Sequence, residues 1–332
     1  MAYDYPTGVG ITGDLEQAFS RLSTIDVNVG SIMPMLSDRR YEPEVQTINR
    51  THIAKPTYNK KVVKRARGDD WKSTSTGSQE FITLIVVQEA EIDTELERLD
   101  AMELPLNYLE RERMAQVAAL RLEIEEDCIG LIDTDANYDT SRTYAVGTAG
   151  SDFIDKDGTS TGSVINIGKG ILDSIRKFNI YLGNKGALGP ASGMQIGGML
   201  GSRNLVTGLE EFDALDQYLQ SEKLSYDRLT DELLTSNSIF ANEDYMGTLK
   251  GVNIFATPKI TKPSANGAAN FRNSYMFLPN AWAYAQRPSL VVMIDPVRNQ
   301  TNGPNYIMRQ IANYGYVVLD SQWLTRIQVP TA

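Results

Sequence analysis

One cysteine, Cys128, and one histidine, His52, occur in 332 residues. No disulfide can form within the chain, a Cys-x-x-Cys knuckle is excluded, and the usual nitrogen and sulfur ligands of a transition-metal site cannot be assembled from one copy. A reducing compartment is the natural reading. Positive charge is also scarce: the formal charge is −10 and the pI near 4.8, so the chain as a whole has no electrostatic reason to seek nucleic acid or an anionic membrane. Long apolar runs are missing as well. The longest, Phe81 to Val87 and Leu290 to Ile294, have the length of strands, and residues 1–10 lack the basic and apolar regions of a signal peptide. No membrane segment is therefore expected, and the Asn-x-Thr sites at Asn49 and Asn299 have no secretory context. With 42% hydrophobic and 22% charged residues the composition is that of a folded protein, not a disordered one.

What is present centres on residues 104–130. Leu106, Met114, Val117, Leu120, Ile124 and Cys128 recur mostly three or four apart, which predicts a long amphipathic helix with Glu110, Glu112, Glu123, Glu125 and Glu126 facing outward. Pro105 suits its first turn and Gly130 a left-handed C-cap. Ahead of it lie two β-type runs, Val45 to Val63 and Gln79 to Val87, joined by a charged Gly/Ser/Thr-rich tip, and then a short helix capped by Thr94 with Glu97. Residues 1–44 hold too little apolar surface for a core of their own and read as an arm lying on something else.

Downstream, 133–162 reads as loops with a short hairpin, and Ile167 to Tyr181 as a helix running into a stretch, 183–201, with seven glycines. Both loop regions are expected to be mobile. Thr207 and Glu210 form a capping box for a helix through Phe212, Leu215 and Leu219, with a second helical piece at Tyr226, Leu229 and Leu233. The period then changes to strands at Gly247–Thr257, Ser274–Leu278, Leu290–Val297, Ile307–Leu319 and Trp323–Val329. Helices first and strands last give an α+β class rather than alternating βαβ units.

Few motifs carry chemistry. Gly158-Thr-Ser160-Thr-Gly162 matches the G-x-S-x-G elbow of serine hydrolases, but it follows a turn, and His52 precedes it where that fold places its histidine last. Asp133, Asp135, Asn137 and Asp139 alternate like a calcium loop, yet Tyr138 and Tyr144 stand where Gly and a bidentate Glu are needed. No phosphate-binding glycine motif occurs, and no cofactor is expected. The charge distribution is more informative. Residues 39–72 carry ten basic side chains against four acidic, net +6, whereas 88–135 carry fifteen acidic against four arginines, net −11. Lys60, Lys61, Lys64, Arg65 and Arg67 can track phosphates or lie on an acidic helix of a neighbouring subunit. The neighbour is favoured, because its acidic surface (Glu110, Glu123, Glu126) is encoded in the same chain and a projecting hairpin needs cover.

The order of elements resembles that of the major capsid proteins of tailed double-stranded-DNA bacteriophages, the HK97 fold. It carries the arm, the hairpin, a long helix ending Glu125-Glu-Asp-Cys-Ile-Gly130, glycine-rich loops, Gly247-Thr-Leu-Lys-Gly251, Phe277-Leu-Pro-Asn-Ala-Trp282 and a final Arg326-Ile-Gln-Val strand. The resemblance implies an N-terminal arm (1–45), an extended hairpin or E-loop (46–85), a peripheral domain with a spine helix (86–135), an axial domain (136–283), a peripheral strand pair (284–322) and a last strand returning to the axial domain (323–332). It places 183–201 near a capsomer axis. It implies no enzymatic activity, self-association into hexamers and pentamers, an icosahedral shell around phage DNA, and scaffolding, portal and decoration proteins as partners, in a virion assembled in the host cytoplasm. With fewer than fifty residues before the hairpin, it implies a separate scaffolding protein or none, and no processing. Some members link subunits through Lys and Asn; Lys60, Lys61 or Lys64 with Asn299, Asn302 or Asn305 would serve, although non-covalent contact is commoner. The same fold makes encapsulin compartments, which hold protein cargo. A hydrolase using Ser160 is the remote alternative.

Overall fold

The computed structural model describes residues 31–48, 50–54, 81–96, 106–147, 152–154, 160–162, 164–184, 203–222, 245–261, 271–287, 293–299 and 303–330. The expected hairpin tip, the glycine-rich stretch 185–201 and the helical piece at Tyr226–Leu233 lie outside them.

The described chain begins with a five-residue helix, α1 (Ile32–Leu36), whose Ile32, Met33 and Leu36 enter the main core, so this part of the arm packs on its own subunit. Next comes α2 (Glu42–Ile48), where a strand was expected from Val45. The helix wins because Glu42 and Glu44 lie in its first turn, where carboxylates favour the dipole, Arg39 pairs with Glu42 at 2.8 Å, and Val45 is fully buried. The strands β1 (Arg50–Ala54) and β2 (Phe81–Ile85) pair antiparallel as the root of the expected hairpin.

Thr94 caps no helix. Residues 88–96 form β3 (Gln88–Leu96), in which Glu89, Glu91, Asp93 and Glu95 alternate with Ala90, Ile92, Thr94 and Leu96. Strict period-two alternation with Ala90 and Ile92 against the core outweighs the local capping pattern. The spine helix, α3 (Leu106–Ile132), follows. Its buried stripe is Val117, Leu120, Ile124, Cys128 and Ile132, each worth about 1.5–3 kcal/mol when an aliphatic chain is fully covered. Met114, expected in the stripe, is half exposed, and Glu125, expected outside, is buried. Nor does Gly130 end the helix. Ile132 is fully buried, and Asn137 Nδ2 and Thr134 Oγ1 donate to the Leu131 and Gly130 carbonyls, so burial and capping outweigh the roughly 1 kcal/mol cost of a helical glycine.

Beyond a short 3₁₀ turn, β4 (Thr143–Ala145) and the hairpin β5 (Asp152–Ile154) with β6 (Ser160–Gly162) lead into α4 (Val164–Asn184), about a turn longer at its start than expected. Then β7 (Arg203–Thr207) precedes α5 (Leu209–Ser221). The predicted capping box does not form: Gly208 is the N-cap, while the Thr207 hydroxyl bonds Ser274 across the sheet at 2.9 Å and Glu210 turns to Arg272. The single strand expected over 247–257 is a hairpin, β8 (Tyr245–Leu249) and β9 (Val252–Ala256). Lys250 (φ 53°) and Gly251 (φ 73°) form its two-residue turn, left-handed at both positions. The last strands are β10 (Phe271–Phe277), β11 (Trp282–Gln286), β12 (Met293–Asn299), β13 (Gly303–Val318) and β14 (Leu324–Pro330).

Two larger sheets organise these strands. In one, the order is β4-β14-β10-β7-β9-β8, with α4 and α5 packed together beside it. In the other, the long β13 carries β11 and β12 in tandem on one edge and β3 on the opposite edge, since Tyr314 pairs with both Gln286 and Gln88. The spine helix bears on this second sheet, and Tyr314 OH donates to Asp127 Oδ2 at 2.5 Å. A core running from α1 through α3, α4 and both sheets includes the fully buried Trp282 and Trp323. Among the described residues no helix is long and apolar enough to cross a membrane.

Candidate subunit interface

An isolated two-stranded hairpin is marginally stable in water, so β1 and β2 need an anchor. Their inward residues provide it: Ile53 and Leu84 join Val45, Ala283, Ala285 and Leu319 in a second, smaller core. A close approach fixes the position. A Cβ at Gly315 of β13 would overlap the Ile85 carbonyl and sit 2.8 Å from its carbon, so the backbone of β2 rests where only glycine leaves room. The outward face of the same pair is unlike an ordinary solvated sheet. Cross-strand partners there are Arg50 with Ile85, His52 with Thr83 and Ala54 with Phe81. Phe81 is 61% exposed, Ile85 42%, and Val87 just beyond 70%. Three exposed large apolar side chains, with Thr83 between the first two, make a patch of the kind that marks a contact surface. His52 Nδ1 lies 3.0 Å from Thr83 Oγ1 on this face.

The acidic run of 88–135 divides into two groups. Much of its C-terminal part is engaged inside the subunit: the Thr257 hydroxyl donates to the buried Glu125 carboxylate, Lys259 Nζ pairs with Glu126 at 2.8 Å, and Tyr314 bonds Asp127. Burial and the Asp127 charge together raise the Tyr314 phenol far above its ordinary value. Glu123 is exposed on α3, and Glu89 and Glu91 are exposed on β3. Of the contact residues expected from sequence, Glu110 lies in α3, Glu123 on its solvent face, and Glu126 remains about half exposed while bonded to Lys259. Lys60, Lys61, Lys64, Arg65 and Arg67 fall outside the described residues. So do Asn302 and the tip of the β12–β13 connection; at that hairpin's end Asn299 pairs with Gly303 and Asn305 with Val297.

The calcium-like loop is occupied by arginines. Arg326 Nη1 lies 2.5 Å from Asp135 Oδ1 and 4.0 Å from Asp133 Oδ1, and its guanidinium stacks 4.8 Å over the Tyr138 ring. Arg142 bonds Asp139 at 3.2 Å and donates to the Ser321 carbonyl. These carboxylates are neutralised within the fold, and the loop expected to be loose is tied to β14; no metal-holding cluster occurs among the described residues. Ser160 opens β6 opposite Ile154 and is not at a strand-to-helix turn, while His52 lies on the separate hairpin sheet. The elbow geometry of a hydrolase is therefore not formed at Ser160.

What sequence reasoning missed is buried. Arg272 of β10 is fully enclosed, with Glu210 Oε2 at 3.2 Å and the equally buried Glu211 at 3.8 Å. Burial pushes the Glu211 carboxyl up to about 7, against the pull of Arg272 and with a small push from Glu210. The sequence signal was slight: Glu210-Glu211 at a helix start reads as a solvated first turn.

No protein-family model matches this chain, and no curated protein does. Solved structures do. The capsid of Ralstonia phage GP4 superposes with a TM-score of 0.55 at 10% identity, over 86% of this chain and 84% of that one. A structure from Mycobacterium phage Che8 gives 0.52 at 18% identity, over 90% of each chain, and the mature capsid of bacteriophage PhiM1 gives 0.51 at 12%, over 86% and 82%. The spine helix on a four-stranded sheet, the rooted hairpin and the six-stranded sheet with its helix pair are thus the parts of a known whole: this chain has the α+β, HK97-like fold of phage capsid proteins.

Proposed function

We propose that this chain is the major capsid protein of a tailed bacteriophage, self-assembling as hexamers and pentamers into an icosahedral shell around double-stranded DNA. The observation that carries this reading is the fold itself, matched over at least 82% of each chain to phage capsid structures. The apolar outer face of the hairpin root supports it, because Phe81, Ile85 and Val87 cost free energy in water until a neighbouring copy covers them. Function then resides in burial and charge complementarity, repeated at every junction, and not in an active site. The basic residues Lys60, Lys61, Lys64, Arg65 and Arg67 meet acidic residues of the neighbour, Glu110, Glu123 and Glu126; Glu126 shares its carboxylate with Lys259. Scaffolding, portal and decoration proteins belong to this reading, as does assembly in the host cytoplasm.

Electron microscopy and sedimentation of the purified full chain test it. Closed shells or the capsomers that build them are expected, and a chain that stays monomeric at all concentrations overturns the reading. Charge reversal of the hairpin (Lys60→Glu, Lys61→Glu, Lys64→Glu, Arg65→Glu) is expected to leave circular dichroism unchanged and abolish assembly. Individual exposed ion pairs contribute only about 0–1 kcal/mol, but the contact recurs around the shell and sets register. Wild-type assembly should weaken with added salt, since such attraction is screened over roughly 8 Å at physiological ionic strength. Normal particles from the reversed hairpin would mean that its charges are merely solvated.

A further inference from the structure

The helices α4 and α5 touch at Gly168, where a Cβ would overlap the Ala214 carbonyl and lie 2.6 Å from Tyr218 Cβ, so they meet almost backbone to backbone. Their outward stripes carry opposite charge. On α4, Ile165, Lys169, Asp173, Arg176 and Ile180 recur at helical spacing with Lys177 beside them, three cations against one acid. On α5, Leu209, Asp213 and Gln217 are exposed with Asp216 half-buried beside them, and the helix has no Lys or Arg; its other two acids, Glu210 and Glu211, turn inward to Arg272. Each stripe alone would pass for a solvated face. The aliphatic residues at their ends do not fit that description: Ile180 is 63% exposed, Ile165 47% and Leu209 45%. A solvated helix gains nothing from isoleucine there, whereas an interface gains apolar burial framed by charge.

Building on the shell reading, we propose that the basic stripe of α4 docks on the acidic stripe of α5 in a second copy of this chain. Contacts of α4 with α4, or of α5 with α5, would place like charges together and are disfavoured by repulsion. Only the α4-to-α5 pairing is complementary, and because every copy carries both stripes, the contact passes from copy to copy as a repeating assembly requires. Asp173 and Arg176, 2.9 Å apart on α4, already neutralise each other, so Lys169 and Lys177 carry the net charge of the stripe, Lys177 from a position in which its ammonium lies 5.6 Å over the Tyr144 ring of its own subunit. On α5, Gln217 and Gln220 hold the carboxylates of Asp213 and Asp216 by i,i+4 hydrogen bonds of 2.8 and 2.6 Å, orienting them without neutralising them.

A charge swap tests the pairing. Lys169→Glu with Lys177→Glu, and separately Asp213→Lys with Asp216→Lys, are each expected to lower the yield of assembled particles about tenfold or more, since like-charge juxtaposition costs more than one factor of ten in affinity. The variant with all four changes is expected to restore most of that yield. Circular dichroism and thermal melts of the unassembled subunits establish that each variant folds. Two double variants that assemble like wild type overturn the proposal, and so do two defective variants that fail to rescue each other, because their stripes then face different surfaces. If the wild-type chain itself forms no particles, it is the shell reading that falls.

Discussion

Replacing Glu211 by Gln should make the subunit markedly less sensitive to pH. The Glu211 carboxyl is fully enclosed, and the charged groups that face it are Arg272 from β10 and Glu210 on its own helix. Its Oε2 lies against the backbone of Gly208, too close for a side chain there. Burial raises its value from the ordinary 4.5 to about 7 in the native state. Native protein therefore binds more protons than unfolded protein between those values, and stability falls as pH rises through that window. Below pH 4.5 the carboxyl is neutral in both states and contributes no penalty; above pH 7 the penalty is complete. At about 1.36 kcal/mol per pH unit of separation, the full effect is about 3 kcal/mol. Urea unfolding of the unassembled subunit, followed by tryptophan fluorescence, measures it. Wild type and Glu211→Gln should have similar midpoints at pH 5, whereas at pH 8 the variant should be more stable by about 3 kcal/mol. All other titrating groups are common to both proteins, so the difference isolates this one. A constant gap between the two from pH 5 to pH 8 would refute the reasoning. So would a less stable variant at pH 8, which would mean that the carboxylate stays ionised and its pairing with Arg272 outweighs desolvation.

Gly315→Ala should push β2 off β13, because the Ile85 and Val86 backbone occupies the space of the added methyl; the expected cost is about 1–3 kcal/mol, with faster proteolysis between β1 and β2 as the measurement. Tyr314→Phe removes the hydrogen bond to Asp127 and should cost about 1.5–3 kcal/mol in urea unfolding; an unchanged midpoint would mean that water replaces the phenol without loss. The hairpin charge reversal and the α4–α5 charge swap act on assembly and should leave the subunit's own stability within about 1 kcal/mol of wild type, as surface substitutions usually do.

Sequence by itself determined the features that depend on local periodicity. The spine helix and α4 were legible because apolar residues three and four apart admit no other regular structure, and the late strands because alternation over several residues has only one meaning. The basic and acidic blocks were equally legible, as was the order of elements that resembles a capsid fold. The elements misread were those in which a local signal met a stronger tertiary one. Thr94 looked like a cap, but β3 is held by nine paired positions along β13 and by Ala90 and Ile92 in the core. Gly130 looked like a helix end, but burial of Ile132 carried the helix past it. Val45 looked like a strand, but the Arg39–Glu42 pair and the small core under the hairpin made it helical. Charge was the quantity that sequence could count and could not assign. Only the folded chain decides that Glu125, Asp127 and Asp133 are engaged inside the subunit, that Arg142 and Arg326 fill the apparent calcium loop, and that Glu211 sits where its charge is costly. The reason is physical. A helix or strand is set by neighbours a few residues away, whereas the energy of a charge depends on what surrounds it in space, and residues distant in sequence, 187 positions for Tyr314 and Asp127 and 191 for Arg326 and Asp135, supply much of those surroundings.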